Sequence, residues 1–111
     1  MNTPSMKKLA KEFGLNVIPT PKGLNDKILW TENRKIPSKF NKTVDIRGTS
    51  TEKCWDGTYG FRFQIIGDYN RFGGISIDNI NVWGKSTPEE AMTKAFKRMK
   101  NKLRKDYEAD F

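Results

Sequence analysis

The segment from Thr87 to Lys105 constrains the fold more than any other part of the chain. Thr87-Pro88-Glu89-Glu90 carries the residues of a helix start. The threonine oxygen can accept a first-turn N–H, the proline stands where no N–H is needed, and Glu90 completes a capping box. Both carboxylates sit at the positive end of the helix dipole. Ala91, Met92, Ala95, Phe96, Met99 and Leu103 recur at helical spacing as one apolar stripe. Lys94, Lys97, Arg98, Lys100, Lys102, Arg104 and Lys105 fill the remaining positions. A helix divided in this way must lay its stripe on another element, and 111 residues leave room for one domain.

The sequence upstream supplies that element. Val44 and Ile46 alternate with Asp45 and Arg47, which predicts a strand ending at Gly48. Asp56-Gly57 is a hairpin signal between Lys53-Cys54-Trp55 and a second strand over 58–66. In that strand Tyr59, Phe61, Phe63 and Ile65 share one face, and Arg62, Gln64 and Ile66 share the other. Residues 67–74 read as a loop. Ile75 and Ile77 alternate, then Ile80 and Val82 resume out of phase, so a bulge or tight turn is expected at Asp78-Asn79. Nearer the N-terminus, Met6, Leu9, Ala10 and Phe13 predict a short helix, with Ser5 as N-cap and Gly14 as its stop. Prolines at 19, 21 and 37 break up the segment that follows, although Lys27 to Thr31 could form a strand.

The expected fold is therefore α+β: a short N-terminal helix, a three- to four-stranded antiparallel sheet, and a C-terminal amphipathic helix packed on one sheet face. One domain spans residues 1–111. Residues 1–41 are a helix plus an irregular arm, 42–105 the sheet–helix core, and 106–111 an acidic tail expected to fray.

Composition narrows function by exclusion. The chain has no histidine and a single cysteine, Cys54. This removes imidazole-based triads, Cys/His zinc sites and intrachain disulfides, and suits a reducing compartment. Cys54 lacks an imidazole activator, and its place beside Trp55 suggests packing. Glu89 and Glu90 are explained by capping rather than by acid–base work, and Gly73-Gly74 lacks the lysine and helix start of a phosphate loop. No catalytic residue, metal site or cofactor is expected, and the chain reads as a binding protein rather than an enzyme. No apolar run approaches the ~20 residues of a membrane span, and residues 1–13 do not read as a secretory signal, so a cytoplasmic protein is expected.

Lys and Arg total 21 against 13 Asp and Glu, a net charge of +8. That excess favours an anionic partner: nucleic acid, an acidic protein or a membrane surface, and the membrane is the poorest fit because the sheet needs the stripe of the last helix for a core. On the strand face turned away from the helix, Arg47, Arg62 and Gln64 are the residue types that contact phosphates and base edges. Arg71 stands in the adjoining loop, and Lys94, Lys97 and Arg98 lie on the polar side of the last helix. An ordinary solvent-facing sheet also carries such residues.

The order strand, hairpin, strand, helix over residues 44–103 resembles the Apetala-type (ethylene-response-factor) DNA-binding domain and its relatives at the N-termini of phage integrases and homing endonucleases. The matching pieces are Ile46-Arg47-Gly48, Trp55-Asp56-Gly57 through Phe61-Arg62-Phe63-Gln64-Ile65, and Thr87-Pro88-Glu89-Glu90-Ala91 with Ala95-Phe96 one turn on. The connection from Gly67 to Trp83 is longer than that family's, and Lys85-Ser86 replaces an aromatic before the helix. The resemblance implies a sheet face laid in the major groove with the helix behind it, and so assigns Arg47, Arg62 and Gln64 to DNA. The order also looks like a double-stranded-RNA-binding domain, but that family grips phosphate with lysines where this chain has Glu89 and Glu90. DNA is thus preferred to double-stranded RNA.

An alternative fits the same composition. Small basic domains rich in Lys, Asn and aromatics are typical of bacteriophages, many of which encode inhibitors of host enzymes or defence complexes. In that reading Trp30, Tyr69, Phe72 and Trp83 are protein-interface anchors ringed by cations. The partner would be an acidic host protein and the setting the host cytoplasm.

Overall fold

Alternation along the central strands separates two faces of a sheet, and among the described residues only one of them is covered. The computed structural model describes residues 4–20, 22–24, 28–51 and 53–111. In chain order it contains α1 (Pro4–Glu12), β1 (Val17–Ile18), β2 (Trp30–Thr31), β3 (Arg34–Pro37), β4 (Thr43–Ser50), β5 (Tyr59–Gly67), β6 (Ser76–Lys85) and α2 (Pro88–Lys102). One wide π-type turn, Leu103–Tyr107, continues α2. The six strands form one antiparallel sheet in the order β1-β2-β4-β5-β6, with β3 also on β4. The α+β expectation holds, with six strands where three or four were expected.

The extra strands come from the arm. Its residues do not run free: β3 pairs with the first half of β4 and β2 with the second. Side-chain hydroxyls bridge the changeover. The Gly48 N–H donates to Thr31 Oγ1 at 2.6 Å, and the Leu29 N–H donates to Ser50 Oγ at 2.7 Å. Thr31 and Ser50 are both buried, so these bonds satisfy groups that would otherwise be costly. Lys27 and Pro21 lie outside the described residues; of the expected strand there, Trp30 and Thr31 are observed.

The core lies between the sheet and the helices. Val44, Ile46, Phe61, Phe63, Ile65 and Val82 point from the sheet onto Ala91, Met92, Ala95, Phe96, Met99 and Leu103, all buried. Phe96 is a hub: Phe13 stacks on it at 4.5 Å, Phe111 meets it edge-on at 5.1 Å, and Phe63 lies 6.0 Å away. Thr87 caps α2 as expected, accepting the Glu90 N–H at 3.2 Å. Ser5 is not a cap. It lies inside α1 and donates to Glu89 Oε1 at 2.7 Å, tying the two helices together. Gly14 stops α1 with φ of +78°.

Three local expectations are corrected. Lys53, Cys54 and Trp55 form no strand, and the chain turns from Trp55 to Gly57: Cys54 N–H donates to Thr58 O and Gly57 N–H to Cys54 O, with Gly57 at φ +82°. Trp55 is therefore not packed beside Cys54 but stands 99% exposed at the turn's tip. At Asp78-Asn79 there is no bulge; β6 keeps one register against β5 from Ser76 to Val82. Ser76 and Asp78 take inward positions because both hydrogen-bond the Tyr107 hydroxyl, which sends Ile75 and Ile77 outward. The tail, finally, is not frayed. Asp106, Tyr107 and Ala109 are buried, and Phe111 closes the aromatic cluster beneath the Arg34 guanidinium, 4.5 Å from its ring centre.

Candidate nucleic-acid interface

The face of the sheet opposite α2 has no element packed across it among the described residues, and strand register decides which side chains meet there. Arg47 lies opposite Gln64, and Gln64 opposite Asn79. In the next row Trp30 lies opposite Thr49, Thr49 opposite Arg62, and Arg62 opposite Asn81. Cross-strand neighbours of this kind lie about 5 Å apart at Cβ, so long polar side chains touch.

The first row is hydrogen-bonded along its length. Arg47 donates through Nε (3.1 Å) and Nη2 (2.9 Å) to Gln64 Oε1, and Gln64 Nε2 donates to Asn79 Oδ1 at 3.3 Å. This holds the Gln64 amide in one orientation and leaves further Arg47 donors facing outward. The second row is different: the Arg62 and Asn81 side chains have no hydrogen-bond or ion-pair partner among the described residues. A cavity of about 360 Å³ lined by Trp30, Arg47, Thr49, Arg62 and Gln64 opens between the rows. A second, about 430 Å³, is lined by Thr49, Arg62, Asn81, Trp83 and their neighbours. Beyond them Lys35 pairs with Asp45 at 3.1 Å, both on the same face.

The predicted residues divide. Arg47, Arg62 and Gln64 are brought together. Arg71 is elsewhere: its guanidinium donates to Lys105 O at 2.9 Å and its N–H to Asp106 O at 2.8 Å. It is a strut fastening the β5–β6 loop to the end of α2, and is not part of the open face. Lys94, Lys97 and Arg98 are exposed on α2, behind the sheet. Arg98 reaches the edge of β6, with Nη1 3.5 Å from Asn81 O. Lys94 meets Lys85 there; the Lys85 charge, with a smaller push from Arg98, holds the Lys94 pKa below its ordinary value. Lys97 faces the opposite flank, where it lines a cavity with Phe13, Phe96 and Phe111.

Of the aromatic candidates, Trp30 is half-buried and its buried Nε1 has no acceptor among the described residues. Trp83 is 61% exposed on the open face. Tyr69 and Phe72 belong to a separate loop, where Asn41 clamps the Tyr69 backbone and Asn70 Oδ1 accepts the Phe72 N–H.

Asn79, Asn81 and Lys85 were missed by sequence reasoning. The signal for the first two was the alternation of β6, obscured by inward-facing Ser76 and Asp78. Among the described residues no three acidic or cysteine side chains cluster as metal ligands, and no helix is long and apolar enough to cross a membrane. Comparison with known proteins finds no matching family model, no matching curated protein and no matching solved structure.

Proposed function

We propose that this protein binds nucleic acid, DNA in preference to double-stranded RNA, through the open face of its sheet, and that it acts by binding rather than catalysis. The observation that carries this reading is the pair of polar rows, Arg47–Gln64–Asn79 and Arg62–Asn81, on a face that no other element covers among the described residues. Arginine, glutamine and asparagine are the side chains suited to base edges and phosphates, and here they stand on rigid strands rather than on loops. The succession β4, β5, β6 and α2 supports the likeness to the Apetala-type module, in which the sheet enters the groove.

The test is a titration of labelled DNA, both duplex and single-stranded, at two salt concentrations. Binding through several cations loses affinity steeply with salt. Replacing Arg62 and Gln64 together by alanine should weaken binding roughly tenfold or more, since each good base contact contributes about 1–3 kcal/mol. The fold should survive, because Arg62 is exposed and Gln64 only half-buried. Absence of binding even at low salt overturns the proposal.

A second reading, in which the chain docks on and blocks an acidic host protein as phage inhibitors do, has its own support. The loop after β5 is anchored to the end of α2, yet Phe72 is 77% and Ile75 82% exposed. Anchored, exposed aromatic and aliphatic side chains suit an interface. A pull-down from nuclease-treated bacterial lysate tests it, with Phe72→Ala as control. The reading fails if no protein is retained or if the variant retains the same one.

A further inference from the structure

Trp83 sits where the open face meets the edge of the sheet, and its surroundings are unusual. A Cβ placed on Gly60 would lie 2.8 Å from Trp83 Cε3 and 2.7 Å from Val82 O. The indole therefore rests against the bare Gly60 backbone, which is a common way of filling the gap a glycine leaves in a sheet. That contact accounts for Gly60, but it does not account for the 61% of Trp83 left exposed. Nor does it explain why the neighbouring cavity, about 430 Å³, is lined by Arg62 and Asn81, whose side chains are unpartnered among the described residues.

Cations gather two residues further along the same strand. Lys85 and Lys94 lie close enough for the first to depress the pKa of the second, Arg98 adds to the effect, and Glu90 opposes it only as the smallest contribution. The ion pairs among the described residues involve Lys35, Lys39, Lys102 and Arg104, and none of these three. Three cations gathered along one sheet edge, without an ion-pair partner among the described residues, attract an anion by simple Coulombic reasoning.

We propose that this corner of the sheet holds an unpaired nucleotide of a single-stranded segment. Its base stacks on Trp83, its polar edge meets Arg62 and Asn81, and its phosphate lies against Lys85, Lys94 and Arg98. This rests on the nucleic-acid reading above and narrows it. In a duplex both faces of a base are already stacked, so an exposed indole is of use only to an unpaired one. The same chemistry serves single-stranded DNA and RNA.

The experiment is fluorescence anisotropy at moderate salt with four labelled probes. These are a single DNA strand, the RNA strand of the same sequence, the DNA strand with abasic residues throughout, and a blunt DNA duplex. The base-bearing strands should bind more tightly than the abasic strand and the duplex. Trp83→Ala should lower affinity for the base-bearing strands roughly ten- to hundredfold, the range for one lost stacking partner. It should leave the abasic strand unaffected, and Trp83→Phe should restore most of the loss. The tighter of the DNA and RNA arms names the strand.

Should Trp83→Ala fail to fold, a strand carrying 2-aminopurine reports on the wild-type protein, its emission quenched when the base stacks on an indole. Equal binding of abasic and base-bearing strands, or no quenching, overturns the proposal. Duplex binding that depends on Arg62 and Gln64 but not on Trp83 overturns it while leaving the broader function standing. No binding to any probe removes both.

Discussion

Tyr107 is the residue on which the largest number of local departures from simple patterning turn. Its ring is fully buried, and its hydroxyl donates to Asp78 Oδ2 at 2.6 Å while sharing a hydrogen bond with Ser76. Burial first, then the Asp78 carboxylate, pushes its pKa up to about 12 from 10.0. The neutral phenol is therefore the form the fold stabilises. This contribution is fully present below pH 10 and is lost as pH rises towards 12, because the unfolded chain gives up its proton first. Tyr107→Phe should cost about 1–3 kcal/mol at neutral pH by leaving Asp78 without its donor. Urea unfolding of both proteins across pH 8 to ~12 checks this: wild-type stability should converge on the variant's above pH 10. Convergence at lower pH, or none, would count against the assignment. Nothing in the sequence near Ser76 or Asp78 announces Tyr107, 29 residues beyond Asp78. The alternation of β6 was therefore misread for a tertiary reason.

At the scale of elements, α2 is specified locally and its continuation is not. Cap, proline and stripe all lie within residues 87–103 and act on that helix itself, so its start and buried face were legible from spacing. Thr87→Ala should destabilise the domain by about 1 kcal/mol, measured as a fall in the denaturation midpoint with unchanged slope. The turn after Lys102 combines a local ion pair with more distant partners. Lys102 pairs with buried Asp106 at 2.6 Å, a hydrogen bond that raises the lysine pKa. Glu108 adopts a left-handed φ of +46°, and the chain then returns Ala109 and Phe111 to the core. Removing residues 107–111 should thus destabilise by at least about 3 kcal/mol, the cost of deleting one buried aromatic. A frayed tail would be removed without effect, and thermal unfolding distinguishes the two.

The whole molecule separates cations that composition alone counts together. Arg47 and Arg62 lie on the open face, Lys85, Lys94 and Arg98 on the β6 edge, and Lys97 on the far flank. If nucleic acid lies across the open face and the edge, Lys94→Glu should weaken binding and lower the slope of log affinity against log salt by about 1. Lys97→Glu should change neither beyond the small effect of net charge. Equal losses at the two positions would mean that the positive charge acts diffusely, with no defined contact surface.

Sequence by itself determined the two helices, the inward and outward faces of β4 and β5, the turn at Asp56-Gly57 and the excess of positive charge. Each follows from periodicity, capping or composition, which act over a few neighbouring residues. Tertiary structure decided the rest. The arm became three strands because β4 offered an edge and Thr31 and Ser50 supplied the bridging hydroxyls. The tail became core because Phe96 and Asp78 stood ready to receive it. Arg71 became a strut, while Arg62, Asn81 and Trp83 came together through a register that pairs residues 19 positions apart. Contacts at that separation depend on which strands lie side by side, and no local spacing records that choice.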